Sequence, residues 1–268
     1  MALDEVAARG LVLLGCGKMG SALLRGWLAG GLPPGAVHVI EPRPSDWLRG
    51  TGVTLDGPLP EAAAVALVAV KPQMMGEALP AMTALGGGRT LVVSIAAGTP
   101  LSAFEAAFGP GTPVVRAMPN TPAAIGRGIT AVIGNHAATG AHLALAEALL
   151  SAVGEVVRLG AEAQMDAVTA VSGSGPAYVF HLIEALAAAG EAEGLSPELS
   201  LRLARATVAG AGALAQETGT DPGQLRRDVT SPNGTTQAGL GVLMAELPDL
   251  LRRTVRAAAA RSEELGRG

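Results

Sequence analysis

The stretch Leu11-Val12-Leu13-Leu14-Gly15-Cys16-Gly17-Lys18-Met19-Gly20 decides how this chain is read. Four apolar residues in a row read as a buried strand, and the glycines after them are spaced Gly15-x-Gly17-x-x-Gly20. Each position in that spacing has a physical meaning. The first glycine permits a tight turn, the second lets backbone approach a pyrophosphate, and the third lets a helix close on the strand. The unpaired N–H groups at the helix start then face an anion, which is how a dinucleotide is held. With 37 glycines among 268 residues the spacing alone carries little weight. Its setting carries more, because an apolar helical run (19–28) follows and 37–40 reads as the next strand.

The alternation continues outward from there. Candidate strands are 11–14, 37–40, 64–70, 90–95, 114–117, 129–133 and 156–159, with helices between them at 21–29, 73–85 and 101–108 and a later one at 142–152. That is the pattern of a parallel sheet covered by helices. After residue 161 β-branched clusters thin out and alanine-rich helical patterns take over, at 177–193 and 198–218, then 222–229, 236–245 and 250–264. Pro197 suits a first helical turn with Ser196 as its cap. The expected architecture is an α/β, Rossmann-like dinucleotide-binding domain (1–161) followed by an all-helical domain (162–268).

Composition narrows the functions available. A net charge of −4 with no basic stripe disfavours nucleic acid and anionic membranes as partners, and 2% aromatic residues leave almost nothing for base stacking. Apolar stretches are broken before they reach the roughly 20 residues of a membrane span. Asp4 and Glu5 ahead of Arg9 do not resemble a cleaved signal. One cysteine rules out an intrachain disulfide framework and fits a cytoplasmic location. The histidines, His38, His136, His142 and His181, lack metal-ligand spacing, so no metal is expected.

In open α/β sheets ligands lie beyond the carboxyl ends of the strands. The residues expected there for the cofactor are Gly15, Cys16, Gly17, Lys18, Met19 and Gly20; Val70, Lys71 and Pro72; Ser94, Ala96, Ala97 and Gly98; and Met118, Pro119 and Asn120. Lysine occurs only at 18 and 71, so Lys71 is a candidate for a phosphate or carboxylate contact. Glu41 stands where an acid accepts hydrogen bonds from the adenosine ribose, which favours NAD. Arg43 and Ser45 beside it are placed to receive a 2′-phosphate, so the loop reads for NADP or NAD. Cys16 reads as a small packed side chain rather than a nucleophile.

In the helical half two segments have the chemistry of a second wall. Ser172-Gly173-Ser174-Gly175-Pro176-Ala177-Tyr178 turns sharply into a helix, and Ser231-Pro232-Asn233-Gly234-Thr235-Thr236 places hydroxyls and free amides at another helix start. The latter suits a carboxylate, although both segments also read as ordinary helix caps. His181 is spaced to share a helix face with Tyr178, and Asp166 and Glu184 read as solvated or capping acids.

Taken together, these motifs resemble the pyrroline-5-carboxylate reductase family, over nearly the whole chain. The resemblance is carried by 15–20, by Val70-Lys71-Pro72, by Val93-Ser94-Ile95-Ala96-Ala97-Gly98 and by Arg116-Ala117-Met118-Pro119-Asn120-Thr121-Pro122. It continues through 171–180 and the 231–236 turn. The resemblance implies reduction of the cyclic imine 1-pyrroline-5-carboxylate to L-proline by NAD(P)H, the last step of proline biosynthesis. It also implies a helical dimerisation domain, with homodimers that can assemble into larger rings. The substrate's carboxylate is then held by Ser231, Asn233, Gly234, Thr235 and Thr236, largely through backbone N–H groups, with Ser174 nearby. Thr236 is the implied catalytic residue, partnering the ring nitrogen. Lys18 stands where the family often has Asn, and Asn233 where it often has Gly; Asn tolerates left-handed backbone, so the turn survives.

Two rivals share the first domain. A 3-hydroxyacid dehydrogenase looks for a lysine in its helical half, and this chain has none after Lys71. A non-catalytic dinucleotide sensor has no need of the 231–236 pocket.

Overall fold

A computed structural model describes residues 2–267. Its first elements are α1 (Ala2–Arg9), β1 (Leu11–Leu14), α2 (Lys18–Ala29), β2 (Val37–Ile40), α3 (Asp46–Arg49), β3 (Thr54–Leu55) and β4 (Val65–Val68). There follow α4 (Met75–Ala78), β5 (Leu91–Ser94), α5 (Leu101–Phe108), β6 (Val114–Met118), β7 (Gly128–Gly134), α6 (Gly140–Leu150) and β8 (Gly154–Arg158). The rest is helical: α7 (Met165–Val168) running into a π turn (Thr169–Gly173), then α8 (Gly175–Ala192), α9 (Pro197–Thr218), α10 (Pro222–Asp228) and α11 (Thr235–Arg267). This is the expected fold class, a dinucleotide-binding sheet domain followed by helices.

The strands form one sheet in the order β3-β2-β1-β4-β5-β6-β7-β8. All neighbours are parallel except β6 and β7. Parallel strands covered on both faces should be apolar throughout, and β1, β4 and β5 are buried at every position. Their alternate side chains feed two cores. Leu11, Leu13, Val65 and Leu67 pack with Leu23, Leu24 and Trp27 of α2 on one face; Val12, Leu14, Ala66 and Val68 pack with Met82, Phe104 and Phe108 on the other. β1 pairs with β2 on one side and β4 on the other, so the sheet's order reverses there. That reversal opens a crevice at the strand ends.

Several elements differ from expectation. The two-residue β3 is too short to leave a period, and α1 carries no motif. The segment 73–85 is a mixture of 3-10 turns and the four-residue α4 rather than one helix. The two expected helices at 236–245 and 250–264 are one, with Pro248 inside it. Proline costs a helix one hydrogen bond. Here the carbonyl four residues earlier belongs to Met244, which is half exposed, so water can satisfy it.

Two compact units result: residues up to Gly173 together with those from Ala258 on, and residues 174–257. Composition changes near 161, where the strands stop. The first unit nonetheless continues to Gly173, because Met165 and Ala170 are buried in it and Glu162 pairs with Arg116 of β6. In the second unit only Ser200, Ala187 and Ala204 are buried among the described residues, whereas Phe180, Leu203, Leu214 and Val242 are exposed. Among the described residues no helix is long and apolar enough to cross a membrane.

Trp27 ties α2 to the end of α6, its ring 1% exposed and its indole N–H donating to the Leu149 carbonyl at 2.8 Å. Trp27→Ala is expected to cost about 3–5 kcal/mol, and Trp27→Phe about 1–3 kcal/mol for the orphaned carbonyl, in denaturant-unfolding curves. Equal losses for the two variants would mean that the ring's volume contributes nothing.

Candidate functional site

Gly15 begins the turn after β1 with φ +88°, a conformation that favours glycine, and its N–H donates to the Ile40 carbonyl of β2. A Cβ on Gly15 would lie 2.9 Å from Val70. A Cβ on Gly20 would lie 2.4 Å from the Gly15 carbonyl oxygen, so α2 can sit this close to β1 only without one. Gly17 is different: nothing lies within 4 Å of where its Cβ would be. It is the N-cap of α2 and supplies no side-chain cap, so the first amides of the helix keep their N–H groups for another acceptor.

Around this turn lies a cavity of about 510 Å³. Of the residues expected at the cofactor, Gly15, Cys16, Gly17, Glu41, Arg43, Val70 and Lys71 line it, and Ser45 joins them. Open space at Gly17, uncapped amides behind it and a crevice of this volume fit the diphosphate and adenosine of a dinucleotide. Glu41 is held in place: one carboxylate oxygen accepts the Cys16 N–H at 2.9 Å and the other the Arg43 N–H at 3.1 Å. A carboxylate has about four acceptor sites, so each oxygen keeps capacity toward a hydroxyl. The Ser45 hydroxyl caps α3 by accepting the Leu48 N–H. Burial pushes the Cys16 thiol up, beyond what its hydrogen bond with Ser21 offsets, so the group is a neutral thiol that packs in the turn.

The remaining expected residues do not line this cavity. Lys18, Met19 and Gly20 form the first turn of α2, and Pro72 opens the 3-10 turn after Lys71. Ser94 is fully buried and its hydroxyl accepts the Ala96 N–H, so it shapes the 95–98 loop from within. Ala96 is buried also, while Ala97 is exposed and Gly98 takes a left-handed φ of +73°. Met118 packs where a Cβ on Gly173 would fall, 2.7 Å from it. Asn120 spends its amide on structure, donating to the Ser172 carbonyl and accepting the Ile129 N–H.

Part of the cavity wall went unread in the sequence: Met74, Glu77, Ala78 and Ala81 line it from the 72–85 segment. Their spacing of three, one and three is a helical face, and that was the available signal.

In the second unit the 231–236 turn is built as a helix entry. Gly234 N–H donates to the Ser231 carbonyl, and a Cβ on Gly234 would meet the Ser231 hydroxyl at 2.5 Å. Asn233 has φ +58°, the left-handed geometry in which asparagine is tolerated. Its N–H donates to the Gln237 side chain at 2.5 Å, a bracing contact that the sequence reading missed. Thr235 and Thr236 are the first residues of α11, with side chains exposed, so the turn presents free N–H groups and hydroxyls together. Ser174 is the N-cap position of α8 and makes no capping bond with its side chain. His181 pairs with Glu184 on the exposed face of α8 rather than with Tyr178. Asp166, partly exposed, accepts a hydrogen bond from Ser262. Among the described residues no three His, Cys, Asp or Glu are grouped to hold a metal.

Comparison with known proteins agrees over the whole length. Residues 162–265 match the family model described as pyrroline-5-carboxylate reductase dimerisation, and residues 10–98 match the one described as NADP oxidoreductase coenzyme F420-dependent. The chain is 40% identical over 262 residues to the pyrroline-5-carboxylate reductase of Pseudomonas aeruginosa, covering 95% of this chain and 96% of that protein. It is 43% identical over 265 residues to that of Synechocystis, covering 96% and 98%. Its fold superposes on a pyrroline-5-carboxylate reductase structure from Coxiella burnetii with TM-score 0.91 at 34% identity, covering 96% and 98% of the two chains. A pyrroline carboxylate reductase from Plasmodium falciparum, solved with NADP bound, gives TM-score 0.82 at 28% identity with the same coverage.

Glu41→Gln keeps an acceptor for the Cys16 N–H and removes the charge. It is expected to shift the ratio of NAD to NADP dissociation constants toward the phosphorylated form by roughly tenfold, measured by calorimetry. An unchanged ratio would place the 2′ position beyond the reach of Glu41.

Proposed function

The chain belongs to the pyrroline-5-carboxylate reductase family, an NAD(P)-dependent oxidoreductase that reduces 1-pyrroline-5-carboxylate to L-proline, and we propose here how its residues divide that work. The observation that carries the reading is the pairing, in one chain, of an uncapped glycine turn over an open crevice with a second exposed helix entry rich in N–H and hydroxyl groups. The first suits a dinucleotide diphosphate and the second a carboxylate.

NAD(P)H, when bound, supplies the hydride. The turn at 15–20 holds the cofactor through the amides of the first turn of α2, Glu41 and Arg43 face its adenosine ribose, and Lys71 contributes positive charge from the wall after β4. The loops at 94–98 and 118–120 follow the ends of neighbouring strands, with Ser94 and Asn120 holding loop shape while exposed Ala97 and the left-handed Gly98 backbone lie toward the cofactor. In the helical unit, Ser231, Asn233, Gly234 and Thr235 hold the substrate carboxylate, mainly by backbone N–H, with Ser174 nearby. Thr236 partners the ring nitrogen through its hydroxyl.

Little further machinery is needed. A protonated cyclic imine is already electrophilic at carbon, and the arriving hydride neutralises it to the amine, so no strong acid has to deliver a proton in the same step. That fits a helical unit with no lysine and a histidine engaged with Glu184.

The same reading assigns 1–161 to cofactor binding and 162–268 to substrate binding and dimerisation. It makes the protein a homodimer or a ring of dimers, supported by the large apolar side chains left exposed on the second unit. It also places the enzyme in the cytoplasm, which its single cysteine suits.

The test is oxidation of NADH and NADPH in the presence of pyrroline-5-carboxylate. Turnover with at least one is expected, and none with either would end the assignment. In the same assay Thr236→Val is expected to lower kcat/KM by roughly 10- to 100-fold while leaving carboxylate binding through backbone intact. A near-normal value would remove Thr236 from the catalytic residues.

A further inference from the structure

The end of α11 carries a structural role that neither the cofactor turn nor the 231–236 turn requires. Its residues from Ala258 on belong to the sheet-containing unit. There Ser262, 6% exposed, donates its hydroxyl to Asp166 of α7 at 2.7 Å. One turn further, Leu265 lies 3.6 Å from where a Cβ on Gly98 would stand, and a Cβ on Gly266 would stand 3.4 Å from the Gly98 carbonyl oxygen. The last turn of the chain therefore covers the open side of Gly98, the left-handed residue that ends the 95–98 loop.

The base of that loop is fixed from the same segment that holds Ser262. Glu162, four residues before Asp166, accepts the Leu101 N–H at 2.9 Å at the start of α5, and its same oxygen pairs with the nearly buried Arg116 of β6 at 2.8 Å. Gly98, Arg116, Glu162, Asp166 and Gly266 all line one cavity of about 240 Å³. A short segment thus grips the loop's exit through Glu162 and, through Asp166, the helix end that covers the loop's outer side. Ser94 braces the loop from within at Ala96, and its outer end, with glycine at a left-handed position and few side chains of its own, depends on such contacts from outside.

We propose that Ser262 and Asp166 are positioning residues for the cofactor: they dock the last turn of α11 on Gly98 and so fix the 95–98 backbone in its cofactor-facing shape. The proposal rests on the reading that this loop faces NAD(P)H, and its test separates the two. Hydrogen exchange of the cofactor-free protein reports the docking itself. Ser262→Ala is expected to speed exchange of the amides of Ala96, Ala97 and Gly98, to weaken cofactor binding roughly 3- to 10-fold, as loss of one hydrogen bond does, and to leave kcat at saturating cofactor near that of the unaltered protein. Ser262→Thr, which keeps the hydroxyl, is expected to restore both. Leu265→Gly, which removes the Cβ facing Gly98 and loosens the last helical turn without touching the buried pin, is expected to speed exchange too, so a poorly folding Ser262→Ala does not decide the matter. Unchanged exchange at 96–98 in both Ser262→Ala and Leu265→Gly overturns the proposal. If exchange rises but cofactor affinity does not fall, while the unaltered protein binds cofactor without protecting 96–98, the reading of the loop as cofactor-facing has failed and the positioning role falls with it.

Discussion

The approach of α2 to β1 is the constraint on which the rest depends. A methyl group at Gly20 would meet the Gly15 carbonyl oxygen at 2.4 Å, well inside any van der Waals contact. Removing it lets the helix start directly above the strand end, and the N–H groups of its first turn then point into the crevice where the sheet order reverses. Gly15 must turn at positive φ to deliver the chain there, and Glu41 from the neighbouring strand pins the turn by accepting the Cys16 N–H. The cavity is thus a consequence of backbone proximity first and of side-chain chemistry second.

The two units solve different physical problems. In the first, apolar side chains on both faces of a parallel sheet are covered by helices of the same chain, and β1, β4 and β5 are wholly dry. The second is made of long helices that are rich in alanine and glycine, and they leave Phe180, Leu203, Leu214 and Val242 in contact with water. Apolar surface on this scale is costly to leave uncovered. A helical unit of this kind is completed by a partner, which is why assembly and substrate binding fall to the same half in the proposed reading.

Much of this was legible in the residues. Strand positions came from apolar runs, and the cavity-lining Gly15, Gly17, Glu41 and Lys71 came from glycine spacing and from the rule about strand ends. What failed did so for identifiable reasons. Position after a strand does not say which way a side chain turns, so it left unread that the Ser94 side chain is buried and that Asn120 spends its amide on backbone. The helices expected at 236–245 and 250–264 are one, because an exposed helix loses only one bond at Pro248. The Ser262 to Asp166 bond spans 96 residues, and no local pattern encodes a contact of that range.

The proposed reaction asks little side-chain chemistry of the chain. Its half-buried thiol is driven toward the neutral form, and the charged groups around the cavity, Glu41, Arg43, Lys71 and Glu77, mix both signs. Where the substrate arrives as an electrophile, transition-state stabilisation comes chiefly from holding two reactants at the right separation and angle. That demand falls on backbone: on loops braced by Glu41, Ser94, Asn120 and Glu162, and on the 231–236 turn braced by Ser231 and Gln237. Glu41, Ser94, Asn120, Glu162 and Gln237 each hold a main-chain N–H through the side chain, and Ser231 holds the Gly234 N–H through its own carbonyl. The structure's polar side chains are thus spent on geometry, which is the form of catalysis that an already activated imine leaves for a protein to supply.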